Sequence, residues 1–268
     1  MKKLEHLEEI YKSYDTFIVD LWGVMHNGIK LNDGAIKTIS NLKKKNKKVV
    51  FLSNAPRPNK DVIQFLKKLK MKDDYLKYVQ TSGEVALKSL KNKIFGTKFF
   101  HLGPERDVSL FEGLEKNKTT IENSEFILCT GLFDLHEHDL SFYKNLLINS
   151  LSKKLICTNP DLIVHRGKKI EYCAGTVAKI FEDMGGKVIY FGKPHRAVYD
   201  SILTDGEKTF VIGDNLNTDI RGANNLKLDS LFITSGIHRT EFKEDDELNC
   251  LLKKYKVSSK YFQKSLNW

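Results

Sequence analysis

The chain has 268 residues, 41% of them hydrophobic and 29% charged, enough apolar material for one large or two modest domains and too much for an intrinsically disordered chain. Its 44 lysines and arginines outnumber its 34 acidic residues, leaving a net charge of +10. The basic residues are spread along the sequence, in runs such as Lys43-Lys44-Lys45 on the polar faces of expected helices, and no zinc-finger, RRM or basic-helix signature accompanies them, so nucleic-acid binding is not expected.

From the N-terminus, acidic residues interrupt Met1 to Glu9 at once, which excludes the apolar core of a signal peptide. No apolar run approaches the ~20 residues of a membrane helix, so no membrane partner is expected. Thr16-Phe17-Ile18-Val19-Asp20 reads as a buried strand ending in an acid. Asp33 to Asn46 places Ala35, Ile36, Ile39 and Leu42 at helical spacing. Lys48 to Leu52 reads as a second strand and Asn59 to Lys70 as a second amphipathic helix. This β-α-β-α order predicts a parallel sheet covered by helices. The middle of the chain has strands of its own at Phe99-Phe100, Phe126 to Cys129 and Leu155 to Cys157, with helices over Leu140 to Leu151 and Ala174 to Met184. The first pattern resumes with strands at Val188 to Phe191, Phe210 to Ile212 and Leu231 to Ile233, and helical stretches from Arg196 to Leu203 and Asn217 to Leu226. The expected organisation is a discontinuous core, 1–81 with 188–268, around an inserted α/β domain, 82–187. Cys129, Cys157, Cys173 and Cys250 form no C-x-x-C pair and read as buried free thiols of a reducing compartment, the cytoplasm.

Four features sit at or just after the carboxyl ends of expected strands, where open α/β sheets place their ligands. Asp20, followed by Leu21-Trp22-Gly23, is a carboxylate exposed in a crevice by a glycine turn. Ser53-Asn54 offers a hydroxyl and backbone N–H groups that suit phosphate oxygens. Gly192-Lys193-Pro194 fixes a lysine that can neutralise a phosphoryl group and an attacking carboxylate. Asp214 and Asp219, in Gly213-Asp214-Asn215-Leu216-Asn217-Thr218-Asp219, suit a hard cation such as Mg²⁺, which prefers oxygen ligands. Each alone is ordinary turn, cap or surface chemistry.

In this order the four features resemble the motifs of the haloacid dehalogenase superfamily, and the resemblance spans Phe17 to about Arg239. The long insertion, with Thr158-Asn159-Pro160-Asp161 and Ala174-Gly175-Thr176, resembles the C2 cap of its class IIA, NagD-like members. The resemblance implies an α/β fold, with a Rossmann-like parallel-sheet core and an inserted C2-type cap. It implies a Mg²⁺-dependent phosphohydrolase in which Asp20 attacks phosphorus and forms an aspartyl phosphate that water then cleaves. Lys193 and Ser53 would hold phosphoryl oxygens, with backbone N–H groups near Gly23 and Asn54. Mg²⁺ would be held by Asp20, Asp214, Asp219 and the backbone carbonyl of Trp22. Asn159, Asp161, Thr176 and Arg57 would read the leaving group of a small phosphorylated metabolite. His165 and Tyr172 lie in the same cap region. The family also has members that dimerise through the cap.

The sequence departs from that pattern at Trp22. Phosphatases of the superfamily carry a second Asp two residues after the nucleophile, which protonates the leaving group and activates water. An indole is a donor only, with no useful pKa for proton transfer. Three explanations stand open: another group such as His26 or a cap residue supplies the proton, the substrate has a good leaving group, or the protein is a weak or inactive relative that binds phosphometabolites. The aromatic at this position also resembles the carbon-attacking dehalogenases, but those lack the motif that supplies Asp214 and Asp219. His136 and His138 tempt a metal reading, yet their spacing in a polar loop suits solvated side chains better.

Overall fold

A computed structural model describes residues 1–166 and 169–268. The chain opens with a two-residue edge strand, β1 (Lys2–Lys3), and then alternates strand and helix. β2 (Thr16–Val19), α1 (Asp33–Lys44), β3 (Lys48–Ser53), α2 (Asn59–Lys68) and β4 (Val79–Thr81) build the first half of a sheet. β11 (Thr209–Gly213), α6 (Arg221–Asn225), β12 (Asp229–Ile233), α7 (Leu248–Tyr255) and β13 (Tyr261–Gln263) complete it. The seven strands run in the order β1-β13-β12-β11-β2-β3-β4, every pair parallel.

The near-continuous apolar strands follow from burial on both faces. Phe17, Val19, Phe51, Ile212 and Leu231 pack on one side with Ile39 and Leu42 of α1 and Leu66 of α2. The alternate residues Ile18, Val50, Leu52 and Val211 pack on the other with Val198, Tyr199 and Ala223. The helices start where caps allow. Asn32 accepts the N–H of Gly34 to open α1, with Lys43 and Lys44 in its last turn.

Between β4 and β11 lie α3 (Ser82–Lys91), β5 (Phe99–Leu102), β6 (Phe126–Cys129), α4 (Leu140–Leu147), β7 (Lys154–Cys157), α5 (Ala174–Asp183) and β10 (Lys187–Tyr190). The four strands form a second parallel sheet, β10-β7-β6-β5, with hydrophobic clusters of its own on both faces. A separate antiparallel hairpin, β8 (Ile163–Arg166) with β9 (Lys169–Tyr172), pairs with neither sheet.

One boundary differs from expectation. The strand around Val188 was expected in the core, from residue 188 onward, but Val188 pairs with Leu155 and Ile189 with Ile156 in the smaller sheet. A Val-Ile-Tyr run satisfies either sheet equally well, so only the partner strand decides. The crossing back to the larger sheet therefore comes after Tyr190. The helical stretch expected from Arg196 is a single 3₁₀ turn, Arg196–Val198. That expected from Asn217 is a π-helical turn, Leu216–Ile220, running into α6. Three cysteines are buried as expected; Cys250 is exposed, on the outer face of α7. No helix of the described residues is long and apolar enough to cross a membrane.

Candidate active site

The parallel strands β2, β3 and β11 deliver Asp20, Ser53-Asn54 and Asp214 to one end of the larger sheet. Asp20 continues the ladder by one bond, its N–H donating to the Ile212 carbonyl (2.9 Å), so its carboxylate emerges where the sheet stops. Asp219 is brought back by the π-helical turn, and the Asn215 N–H donates to its Oδ2 (3.1 Å). Asp214 accepts the N–H of Ile237 (2.8 Å). The three carboxylates offer oxygens that all lie within 4.8 Å of one another, and all three residues are buried.

Lys193 lies among them. Its ammonium donates to Asp20 Oδ1 (2.5 Å), to Asp219 Oδ1 (2.7 Å) and to the Leu52 carbonyl (3.1 Å). The backbone of Lys193 is itself bracketed. Asn54 Oδ1 accepts its N–H (2.7 Å), and Asn54 Nδ2 donates to its carbonyl (3.2 Å). The bracket requires glycine at 192, where φ is +115° and a Cβ would come within 2.6 Å of Asn54 Oδ1. Glycine is required at 23 and 236 for the same reason: a Cβ at either would stand 2.1 or 2.0 Å from Asp214 Oδ2.

Burial pushes Asp20 well above the usual carboxylate range, the charge of Lys193 opposing it and those of Asp219 and Asp214 adding to it. Burial and then the Asp219 charge push Asp214 up to about 8. Burial alone would lower Lys193, but Asp20 and Asp219 outweigh it and keep the ammonium protonated. One cation thus faces three clustered carboxylates. That excess of buried negative charge, presented entirely by oxygen donors, fits a divalent cation such as Mg²⁺ held by Asp20, Asp214 and Asp219. Among the described residues no N–H donates to the Trp22 carbonyl, which leaves it available as a further ligand.

The smaller domain contributes Asp161. Its Oδ1 accepts from Asn54 Nδ2 (3.3 Å) and Asn215 Nδ2 (3.2 Å), tying the cap to the floor of the site. Burial first, and then the Asp219 charge, raise it to about 6, with Lys193 acting against them. Floor and cap enclose a cavity of about 530 Å³. Gly23, Ser53, Asn54, Arg57, Asn159 and Asp161 line it, as do Asp20, Trp22, Lys193, Asp214 and Asp219. Ser53 Oγ accepts the Ala55 N–H (3.2 Å), and Arg57 Nε lies 3.2 Å from Asp107 of the smaller domain.

Thr176 is the exception. It does not line the cavity; its hydroxyl donates to the Leu162 carbonyl (2.6 Å) at the base of the hairpin. The helix turn that carries it faces that loop rather than the cleft. His26 lines the cavity, but burial lowers it to about 4 and its Nδ1 accepts the Gly28 N–H (3.0 Å), so at neutral pH it is an uncharged ring and a poor acid. His136 stacks on Phe142 and forms no metal cluster with His138; the only such cluster among the described residues is the Asp20–Asp214–Asp219 group. Sequence reasoning passed over Asn215, Ile237 and Arg239. Asn215 had a signal, since it lies within the Gly213–Asp219 motif; the other two act through backbone or long-range contacts that leave none.

The family model of haloacid dehalogenase-like hydrolases matches residues 17–116, and a HAD-hydrolase-like model matches 190–252. A haloacid dehalogenase-like hydrolase from Brucella suis superposes with a TM-score of 0.85 and 29% identity over 98% of this chain and 99% of its own. The chain belongs to the haloacid dehalogenase-like hydrolases. Within that family it is similar to the 5'-nucleotidase YutF of Bacillus subtilis, 24% identical over 88% of this chain and 93% of the relative. It is also similar to the ribonucleotide monophosphatase NagD of Escherichia coli, 33% identical over 31% of this chain and 34% of the relative. The first model spans β2 to β4 of the larger sheet and runs on into β5 of the smaller one, and the second spans β11 and β12, so together they cover the strands that carry the acidic floor.

Proposed function

We propose that the protein is a Mg²⁺-dependent phosphohydrolase of small phosphate esters, with Asp20 as the nucleophile. The observation that supports this best is the buried cluster of Asp20, Asp214 and Asp219 with Lys193 bonded to two of them. In this reading Asp20 attacks phosphorus in line, the P–O bond to the leaving group breaks, and water cleaves the resulting aspartyl phosphate to release inorganic phosphate and restore the carboxylate. Lys193 holds a phosphoryl oxygen and balances the Asp20 charge, while the Ser53 hydroxyl and the N–H groups near Gly23 and Asn54 hold the rest. Asp20, Asp214, Asp219 and the Trp22 carbonyl would hold Mg²⁺, which when bound would supply charge neutralisation for the approach of two anions. The names of the relatives, a nucleotidase and a ribonucleotide monophosphatase, support phosphomonoesters as the substrate class.

Trp22 sets the leaving-group preference. The indole at 22 cannot deliver a proton, and such assistance is worth about 10²–10⁴-fold. Aryl and acyl phosphates, whose leaving groups depart unprotonated, are therefore expected to turn over faster than alkyl phosphates. Asn159, Asp161 and Arg57 line the cavity where that group would lie. The three buried thiols fit a cytoplasmic setting.

The test is a phosphoester panel with Mg²⁺ on wild type and Asp20→Asn. Asp20→Asn is expected to lose about six orders of magnitude in turnover, as removal of a nucleophile does elsewhere. Retained turnover would sink the nucleophile assignment, and alkyl esters matching aryl esters in wild type would sink the leaving-group preference.

A further inference from the structure

The β8–β9 hairpin roofs the cavity: Ile163, Val164, His165 and Arg166 on one strand and Glu171 and Tyr172 on the other all line it. Yet its strands pair with neither sheet, and none of its described residues is fully buried. A lone two-stranded hairpin is at best marginally stable in water, so its position must come from contacts it makes elsewhere. On the cap side those of the described residues are few, and the Tyr172 ring meets His138 edge-on at 6.4 Å. The Cys173 N–H donates to the Leu162 carbonyl (2.9 Å), Thr176 donates to the same oxygen, and Lys169 reaches Glu137 (3.2 Å).

On the floor side two core residues hold His165. Trp22 Nε1–H donates to its carbonyl (2.8 Å), and Arg239 Nη2 lies 2.7 Å from its ring Nδ1. Burial and the Arg239 charge keep that ring below its usual pKa, which leaves Nδ1 free to accept. The guanidinium of Arg166 lies over the Trp22 ring, 5.7 Å from its centroid. The indole is itself fixed. His26 meets it edge-on at 5.1 Å, and Gly28, with φ at +85°, lies so close that a Cβ there would come within 2.8 Å of the ring.

We infer that Trp22 is a positioning residue that seats the β8–β9 hairpin over the cavity, so that position 22 serves the roof instead of proton transfer. The chemistry of the contact explains why an indole suits it. A backbone carbonyl needs a donor, and the indole is donor-only with the reach of two fused rings. An aspartate at 22 has neither the donor nor the reach, and would leave the His165 carbonyl without this partner. The kinetic side of this inference rests on the cavity being the reaction site; the seating of the hairpin does not.

Trp22→Phe keeps an aromatic ring but removes three ring atoms, the N–H donor among them. With no substrate present, amide hydrogen exchange over Val164–Arg166 should quicken about 2- to 10-fold, the worth of one net hydrogen bond. KM for phenyl phosphate should rise by a similar factor, with kcat changing less. Unchanged exchange in a folded Trp22→Phe protein overturns the inference whether or not the protein turns over phosphate esters. A second measurement covers a variant that fails to fold. Trp268→Phe leaves Trp22 as the single tryptophan. The hairpin over the indole should then shield Trp22 emission from acrylamide. Quenching as strong as that of a free indole shows that the hairpin does not sit on Trp22 and overturns the seating.

Discussion

The floor and the roof of the cavity are built on opposite principles. In the floor, Asp20, Asp214, Asp219 and Lys193 are all buried, and strand ends, a glycine-tight loop and the Asn54 bracket fix each of them. In the roof, an exposed hairpin rests on a handful of single bonds. A group that must meet phosphorus within a fraction of an ångström gains from the first arrangement, because misplacement costs rate steeply. A surface that reads the variable part of a substrate gains from the second, because local openings there are cheap. In the proposed reaction the difference separates firmly held reacting groups from loosely held leaving-group contacts, and substitutions should sort accordingly.

The largest effect is expected in the floor. Lys193→Met removes the cation shared by Asp20 and Asp219 and leaves two buried carboxylates unpaired. In metal-free protein the loss should be about 3–5 kcal/mol in urea unfolding, and Mg²⁺ should restore part of it. A loss below that of an ordinary surface substitution would show that the ion pairs do not brace the floor.

An intermediate effect is expected on acidification. Burial lowers both His26, beside the floor, and His101, in the cap, to about 4. Below pH 6.5 the unfolded chain takes up protons on these rings that the folded chain refuses, so their contribution to stability falls as pH drops from about 6.5 to about 4 and is constant above that window. Each ring contributes on the order of 3 kcal/mol. His26→Gln and His101→Gln should each flatten the decline, as read by thermal unfolding across that range. If only His101→Gln does so, the cap unfolds separately from the floor.

The smallest effect on stability is expected at the base of the roof. Thr176→Ala removes one hydrogen bond to the Leu162 carbonyl, worth about 1 kcal/mol or less. Its signature should be a raised KM with little change in unfolding midpoint. A large drop in midpoint would mean that the roof shares the cooperativity of the floor.

The floor was the legible part. Asp20, Ser53 and Asp214 follow apolar strands whose residue pattern announces a parallel sheet, and a parallel sheet gathers its carboxyl ends. Lys193 was legible as a site residue but not as to its sheet, since nothing in Val188-Ile189-Tyr190 names β7 as the partner. The roof was not legible. Ile163 to Arg166 and Lys169 to Tyr172 are short, polar and half exposed, so no periodicity marks them. Trp22 stood out as a departure, yet its partner lies 143 residues away and offers a backbone carbonyl, which no side-chain identity can signal. Thr176 misled because a cap motif fixes where a residue sits in the chain and not which way its hydroxyl turns.

Lys193 comes only three residues after Tyr190, the last residue of a strand of the smaller sheet, while its ammonium is anchored to the end of the larger one. The counter-charge of Asp20 is thus mounted on the crossing between the two sheets. Asn54 holds that one peptide on both sides, so the ammonium takes its place from the end of the larger sheet although the strand that leads to it belongs to the smaller one.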